Sequence, residues 1–351
     1  MRVANKRVTS FDVARKAGVS RSVVSAVLND TPGIGVSAEK RKAVLEAIRE
    51  LGYQVDAQAR GMKTGRSQCL AAFGNVSNPL FLQVLEGMQE TCSHKGYHVL
   101  LYGSGNPPQD QREELIELYM QRRIDGVVAF DRPQWDRDDW VRLVQSKAMP
   151  YVSVEGYPDE PRIASVLMDY REAARRALDF MWERTGLVPL YVEMNVGVPL
   201  GFGDIERRKA YEEWMLEKGW QPAVTEVPDK LWRQAEPKWL EWLKFKMNEG
   251  KPCAVFTNWS RAAVSISRAA FKLGYTVGED VHIMAGDNTD RVNQHVYPSL
   301  TAVEVPYREM GRLAVERLAE YVEGRRPLDA HEDIVVPAEL AVRESVGWIR
   351  R

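Results

Sequence analysis

Cysteine is scarce in this chain of 351 residues. Cys69, Cys92 and Cys253 are an odd number at wide spacings, which speaks against both a disulfide framework and a thiolate metal cluster. Histidine is equally thin, with 5 scattered residues and no metal-binding motif among them. Long hydrophobic runs are missing as well. No stretch approaches the roughly 18 apolar residues that a membrane-spanning helix needs, and the positive start MRVANKRVTSF has no apolar run behind it, so neither an anchor nor a signal peptide is expected. Catalytic signatures are absent: there is no phosphate-binding loop and no Gly-x-Ser-x-Gly, and the glycines of GVPLGFG at 197–203 lack the dinucleotide fingerprint. These absences point away from an enzyme, a cofactor, a metal or a membrane, and toward a protein of the reducing cytoplasm.

What is present is an ordinary globular composition, 44% hydrophobic and 28% charged, in a length that allows two or three domains. The net charge of -1 hides an asymmetry. Residues 1–66 hold 13 Lys/Arg against 6 Asp/Glu, whereas the remainder holds 35 against 43. A basic head on an acidic body points to nucleic acid, and a solvated basic helix face gives a similar count.

The head contains three helical patterns. Thr9 is placed to cap the first, with Asp12 three residues on as in a capping box, and Phe11, Val13, Ala14 and Ala17 form its apolar side. Gly18 ends it. Ser20 caps a second helix over Arg21–Asn29, where Val23, Val24, Val27 and Leu28 form the buried stripe and Arg21, Ser22, Ser25, Ala26 and Asn29 are expected to face out. Ser37 opens a third, with Ala43, Val44, Ala47, Ile48 and Leu51 inward, Lys40, Arg41 and Lys42 near its exposed start, and Gly52 at its end. Two short helices joined by a tight turn, with a third behind them, make a helix-turn-helix unit. Its second helix is narrow enough for a major groove, with a polar face for base edges and flanking cations for phosphates. A three-helix bundle used for protein contacts is the alternative.

Beyond Arg66 short apolar runs alternate with amphipathic helices: CLAAFGNV, Phe81–Lys95, YHVLLYG, 109–122, DGVVAF, Trp140–Ser146, PYVSVEG and IASVLMD. A second series follows through VPLYVEM, Ile205–Lys218, a tryptophan-rich helix, CAVFTN, Arg261–Leu273 and VHIMAG. The pattern predicts βα repeats and parallel sheets in two doubly wound lobes, with SLTAVEVPYREMG returning to the first half. In such sheets ligands bind at the carboxyl ends of strands.

The order VTSFDVARKAGVSRSVVSAVLN, VSAEKRKAVLEAIRELGY and AQARGMKTGRS resembles the headpiece of the lactose/galactose repressor (LacI/GalR) family of bacterial transcription regulators. SNPLF, RRIDGVVAF, SVLMDYREAA, ERRKAYEEW, GEDVHIMAGDN and SLTAVEVPYREMG extend the resemblance over essentially the whole chain. The resemblance implies an α/β chain with four parts. These are a helix-turn-helix headpiece at 1–52, a hinge helix and linker at 53–67, a first effector lobe at 68–168 with about 301–331, and a second at 169–300 with about 332–351. It implies a homodimer on a pseudo-palindromic operator whose affinity responds to a small polar effector, a carbohydrate. Repression is the expected outcome, and activation or a ligand-dependent co-repressor mode uses the same architecture. An exported sugar-binding protein shares the body fold but not the headpiece.

By the same resemblance, Thr9, Ser20, Arg21, Ser22, Ser25, Ala26 and Asn29 form the DNA-facing set, and a hinge over Asp56–Lys63 adds Arg60, Met62 and Lys63, with Met62 as a minor-groove wedge. Ala26 stands where many members carry a base-reading Arg or His, which leaves contact with a thymine methyl as its chemistry. Gly61 weakens the hinge helix by roughly 0.5 to 1 kcal/mol relative to Ala. In the body the resemblance places Phe81 and Asp131 at ends of first-lobe strands, Glu155 as an acidic ligand, Arg207 and Asp287 as charged pocket residues, and Trp232 and Trp259 as aromatic covers. Carboxylates on vicinal hydroxyls and an indole over a ring suit a carbohydrate. For Trp232 a core position, and for Asp131 a helix cap, remain open readings.

Overall fold

The computed structural model describes residues 8–29, 35–54, 61, 65–103, 108–130, 137–158, 160–195, 200–228, 236–247, 252–288 and 291–347. It divides into two compact units, Met1–Ser67 and Gln68–Arg351.

The first unit has three helices, α1 (Ser10–Ala17), α2 (Arg21–Asn29) and α3 (Ala38–Leu51). Thr9 and Asp12 close the start of α1 reciprocally: the Thr9 backbone N–H donates to the Asp12 carboxylate at 3.0 Å and the Thr9 hydroxyl donates to it at 2.7 Å. Gly18 ends α1 at φ 63, a left-handed turn that costs glycine nothing. Val13, Ala14, Val24, Val27, Val44 and Ala47 form the core of the unit.

The second unit carries two six-stranded sheets. The first lobe contains β1 (Cys69–Phe73), α4 (Pro79–Lys95), β2 (His98–Tyr102), α5 (Pro108–Met120), β3 (Gly126–Ala129), α6 (Arg137–Ser146), β4 (Tyr151–Val154) and β5 (Ala164–Met168). The second contains α7 (Tyr170–Thr185), β6 (Pro189–Asn195), α8 (Phe202–Glu217), β7 (Val224–Pro228), α9 (Glu236–Lys246), β8 (Cys253–Thr257), α10 (Ser260–Leu273), β9 (Val281–Ala285) and β10 (Thr301–Glu304). The chain then forms α11 (Tyr307–Val322), β11 (Ile334–Val336) and β12 (Glu339–Ala341). Strand orders are β11-β5-β4-β3-β1-β2 and β12-β10-β9-β8-β6-β7. All neighbours are parallel except β12 on β10. Strands such as GVVA and VHIMA are buried along their whole length, as a sheet covered by helices on both faces requires.

The lobe boundaries differ from the expectation at the last two crossings. Thr301–Glu304, assigned above to the first lobe, pairs with β9 in the second sheet, and Ile334–Val336, assigned to the second, pairs with β5 in the first. The chain changes lobe between β5 and α7, between β10 and α11, and between β11 and β12. A strand too short to show its own register in sequence takes the sheet edge that is open to it. α11 packs against α4 so closely that a Cβ on Gly311 would lie 2.1 Å from the Val84 carbonyl oxygen, and one on Gly87 1.8 Å from that of Arg308.

Candidate functional site

In the headpiece, Ser20 precedes α2, its hydroxyl accepting from Val23 N–H at 3.4 Å and lying 2.7 Å from the Ser22 hydroxyl. Arg21 and Ser22 are exposed, Ser25 is half-buried, and Thr9 is exposed at the start of α1. Lys40, Arg41 and Lys42 are exposed on the first turns of α3. Two expectations are corrected. Ala26, expected to face out and read a base, is buried with 4% of its surface exposed, because a methyl barely clears the backbone cylinder and is covered by longer side chains around it. Phe11, expected on the apolar side of α1, is 58% exposed, with the Arg15 guanidinium 5.8 Å from its ring centre. The side chain of Asn29 and the hinge residues Arg60, Met62 and Lys63 lie outside the described residues.

In the body, the candidate ligand residues gather where the strand ends of the two sheets face each other. Arg207, on the second turn of α8, is 4% exposed and donates to Asp204 at 3.0 Å. Asp204 lies one helical turn earlier, at the spacing that puts two side chains on one helix face. The same Asp204 oxygen accepts from the Trp259 indole at 2.9 Å and the Asn258 amide at 3.2 Å. Burial opposes the guanidinium charge, yet the Asp204 and Asp287 carboxylates outweigh it and raise the Arg207 pKa.

Asp287 stands two residues beyond β9 and is 1% exposed. One of its carboxylate oxygens accepts from both the backbone N–H and the hydroxyl of Ser260 at 2.7 Å, so it closes the start of α10, the helix that Trp259 precedes. The residue therefore ties the end of β9 to the start of α10.

The first lobe contributes different chemistry. Glu155, the residue after β4, has a left-handed backbone at φ 63 and accepts a hydrogen bond from the Tyr170 hydroxyl. Phe81 lies on α4 rather than at a strand end, and its fully buried ring stacks on Phe130 at 6.3 Å. Phe130 meets Tyr307 edge-on at 5.9 Å. Asp131 and Trp232 lie outside the described residues.

Four residues of this constellation were not singled out in the sequence: Tyr170, Asp204, Asn258 and Tyr307. Asp204 was detectable as the partner of Arg207 three positions on, and Asn258 adjoins Trp259. Nothing local distinguishes Tyr170 and Tyr307, which meet only because two crossovers bring the starts of α7 and α11 together. Three buried polar atoms near α8 have no hydrogen-bond partner among the described residues: Arg207 Nε, the Tyr191 hydroxyl and Glu193 Oε2. Burial raises the pKa of both Tyr191 and Glu193, in Glu193 against the opposing pull of the Arg208 guanidinium. Orphaned donors and acceptors in such a place call for a polar ligand or ordered water. Among the described residues no group of side chains is arranged to hold a metal, and no helix is long and apolar enough to cross a membrane.

Comparison with known proteins agrees with this division. Residues 11–56 match the family described as bacterial regulatory proteins, lacI family, and residues 196–346 match the periplasmic binding protein-like domain. The chain is 26% identical over 339 residues to the NTD biosynthesis operon regulator NtdR of Bacillus subtilis (strain 168), covering 96% of this chain and 99% of that one. It is 26% identical over 321 residues to catabolite control protein A of Priestia megaterium, covering 90% and 92%. Among solved structures, the lac repressor dimer bound to operator and the anti-inducer ONPF superposes with a TM-score of 0.79 at 20% identity over 97% of this chain and 100% of that one. The transcriptional regulator CelR-cellobiose complex does so with a TM-score of 0.63 at 22% identity over 97% and 100%. At these identities the structural likeness establishes the fold.

Proposed function

Because the chain belongs to the lacI family of bacterial regulatory proteins, we propose that it is a cytoplasmic, homodimeric, DNA-binding repressor whose operator affinity is set by a small polyhydroxyl ligand, a carbohydrate. The headpiece is residues 1–52, with 53–67 as hinge and linker. Arg21, Ser22, Ser25 and Asn29 of α2 face the bases, with Thr9 and Ser20 at the helix starts, and Arg60, Met62 and Lys63 act in the minor groove. Ligand is held by Arg207, Asp287, Trp259 and Glu155, with Phe81 behind the aromatic wall, and the family resemblance assigns Asp131 and Trp232 to the same effector-binding set. No catalytic step is assigned to these residues.

The observation that carries this reading is the headpiece itself: α2 buries Val24 and Val27 and leaves Arg21 and Ser22 exposed beyond the Ser20 cap, on a unit rich in Lys and Arg. Control follows from linkage. A ligand that prefers the lobe arrangement unfavourable to DNA lowers operator affinity, and DNA lowers ligand affinity by the same factor. The test is operator selection from a random duplex pool, followed by affinity measurement from roughly 50 to 200 mM salt. Each phosphate neutralised contributes about −0.9 to the slope of log K against log salt, so a slope steeper than about −4 is expected for the dimer. A flat response on every duplex sinks the DNA reading.

A further inference from the structure

We infer that Tyr170 is the residue through which the cleft registers its ligand: its hydroxyl sits on Glu155 where a ligand hydroxyl would bind, so that ligand and lobe-to-lobe bridge compete for one carboxylate. The inference rests on the reading of this cleft as the effector site, and adds to it the residue that must give way.

Tyr170 is the first residue of α7, just after the chain has crossed into the second lobe. Its ring is 2% exposed and anchored on that lobe by three contacts. The ring lies on the backbone of α8 at Gly203, where a Cβ would come within 2.7 Å of its Cζ. Phe202 meets it edge-on at 6.0 Å, and the Arg207 guanidinium lies 4.6 Å from its centre. The ring therefore touches the side chain proposed to anchor the ligand.

Its hydroxyl reaches across to the first lobe. It donates to the Glu155 carboxylate and lies 3.2 Å from the Tyr307 hydroxyl. A phenol has one proton to give. With that proton on Glu155, the contact between the two tyrosines requires Tyr307 to donate and Tyr170 to accept. Tyr307 retains its proton because burial, followed by the Glu155 charge, raises its pKa well above the ordinary value. The relay runs Tyr307 to Tyr170 to Glu155, from the first lobe to the second and back.

Tyr307 is the first residue of α11, just after a second crossover, so the relay ties the chain together where two of its three lobe crossings end. A third polar contact supports the same place: Asn288, next to Asp287, accepts from the Val305 backbone N–H at 3.0 Å. Glu155 itself holds a left-handed backbone that a residue with a Cβ adopts only when its surroundings fix it, here through its N–H to the Val166 carbonyl at 3.0 Å and through the Tyr170 hydroxyl. Such a carboxylate is already oriented for a hydroxyl donor. A ligand that offers Arg207 an acceptor oxygen and Glu155 an adjacent hydroxyl, as a vicinal diol does, replaces one hydroxyl by another and loosens the first lobe from the second. A ligand offering acceptors alone cannot.

The experiment uses the full chain and Tyr170→Phe, which keeps the ring on Gly203 and under Arg207. Without any ligand, hydrogen–deuterium exchange followed by mass spectrometry should show about tenfold faster exchange at the start of α11 and at residues 155–157, with β8 and β9 unchanged. Tyr307→Phe, which leaves the bond to Glu155, should show a smaller change. Unchanged exchange in Tyr170→Phe at both segments overturns the inference. If that variant fails to fold, Glu155→Gln carries the same comparison, because an amide oxygen is the weaker acceptor. Thermal shift with D-glucose and with cellobiose forms the second arm, where the concentration for half-maximal shift should be about tenfold lower for Tyr170→Phe. Equal concentrations for the two proteins overturn the competition. If neither sugar shifts even the parent, it is the carbohydrate reading that fails, and the exchange result decides the bridge.

Discussion

The two lobes of the body repeat one strand order, yet they line the space between them with opposite chemistry. The first presents Phe130 and Tyr307 over a buried Phe81, with Glu155 as its charged acceptor. The second presents two sets of hydrogen bonds, Arg207, Asn258 and Trp259 on the Asp204 carboxylate and Ser260 on Asp287. Their helix layers differ as well. In the first lobe α4 and α11 touch backbone to backbone at Gly87 and Gly311, whereas in the second α7 and α8 are joined along their exposed side by Arg171 to Glu206 and Arg175 to Glu217. A polar network fixes geometry and an aromatic wall slides at little cost. The second lobe is therefore suited to holding a ligand in place and the first to moving in response.

The sharpest way to break this contrast is to remove the centre of the polar network. Asp204→Ala leaves the buried Arg207 without its carboxylate, which should cost about 3 to 5 kcal/mol in urea unfolding. A loss below about 1 kcal/mol would mean that the network is dispensable and the second lobe no more fixed than the first.

Asp287→Asn tests the holding role directly. A charged acceptor on a ligand hydroxyl contributes roughly 1.5 to 3 kcal/mol, so calorimetry should show ligand binding weakened about ten- to a hundredfold. The bonds to Ser260 predict a small loss of melting temperature alongside. Lost stability with unchanged affinity would make Asp287 a cap of α10 and nothing more.

Gly311→Ala probes the first lobe, where the added methyl would meet the Val84 carbonyl at 2.1 Å. Parting the helices should cost about 1 to 3 kcal/mol in thermal unfolding. If it costs nothing, α4 and α11 have slack and the close approach does not define that lobe.

The smallest effect belongs to the second lobe's exposed pairs. Arg175→Ala removes an ion pair with Glu217 in which both side chains reach solvent, worth about 0.2 to 1 kcal/mol and less at high salt. A larger, salt-independent loss would make these pairs rather than the buried network the frame of the lobe.

Much of this was legible before any coordinates. Thr9 with Asp12, Ser20 and Ser37 mark helix starts by local chemistry, Gly18 and Gly52 mark ends, and valines at helical spacing mark the headpiece core. These signals act within a turn or two, and so they survive in sequence. Ala26 misled for the complementary reason: its burial at 4% exposure depends on how far neighbouring side chains reach, which its position on α2 does not give. The late strands misled because four residues at 301–304 and three at 334–336 carry no periodicity able to say which of two sheets they extend.

The sequence by itself determined the order of the elements, the basic headpiece and the residues at the ends of β4 and β9, because each is written in hydrophobic period, capping chemistry or charge. Only the tertiary structure decided that Asp204 serves Arg207, Trp259 and Asn258 together, and that Tyr170 and Tyr307, 137 positions apart, share a hydrogen bond beside Glu155. Those contacts depend on where the crossovers place the starts of α7, α8, α10 and α11. That placement follows from the packing of whole sheets, to which no short stretch of sequence has access.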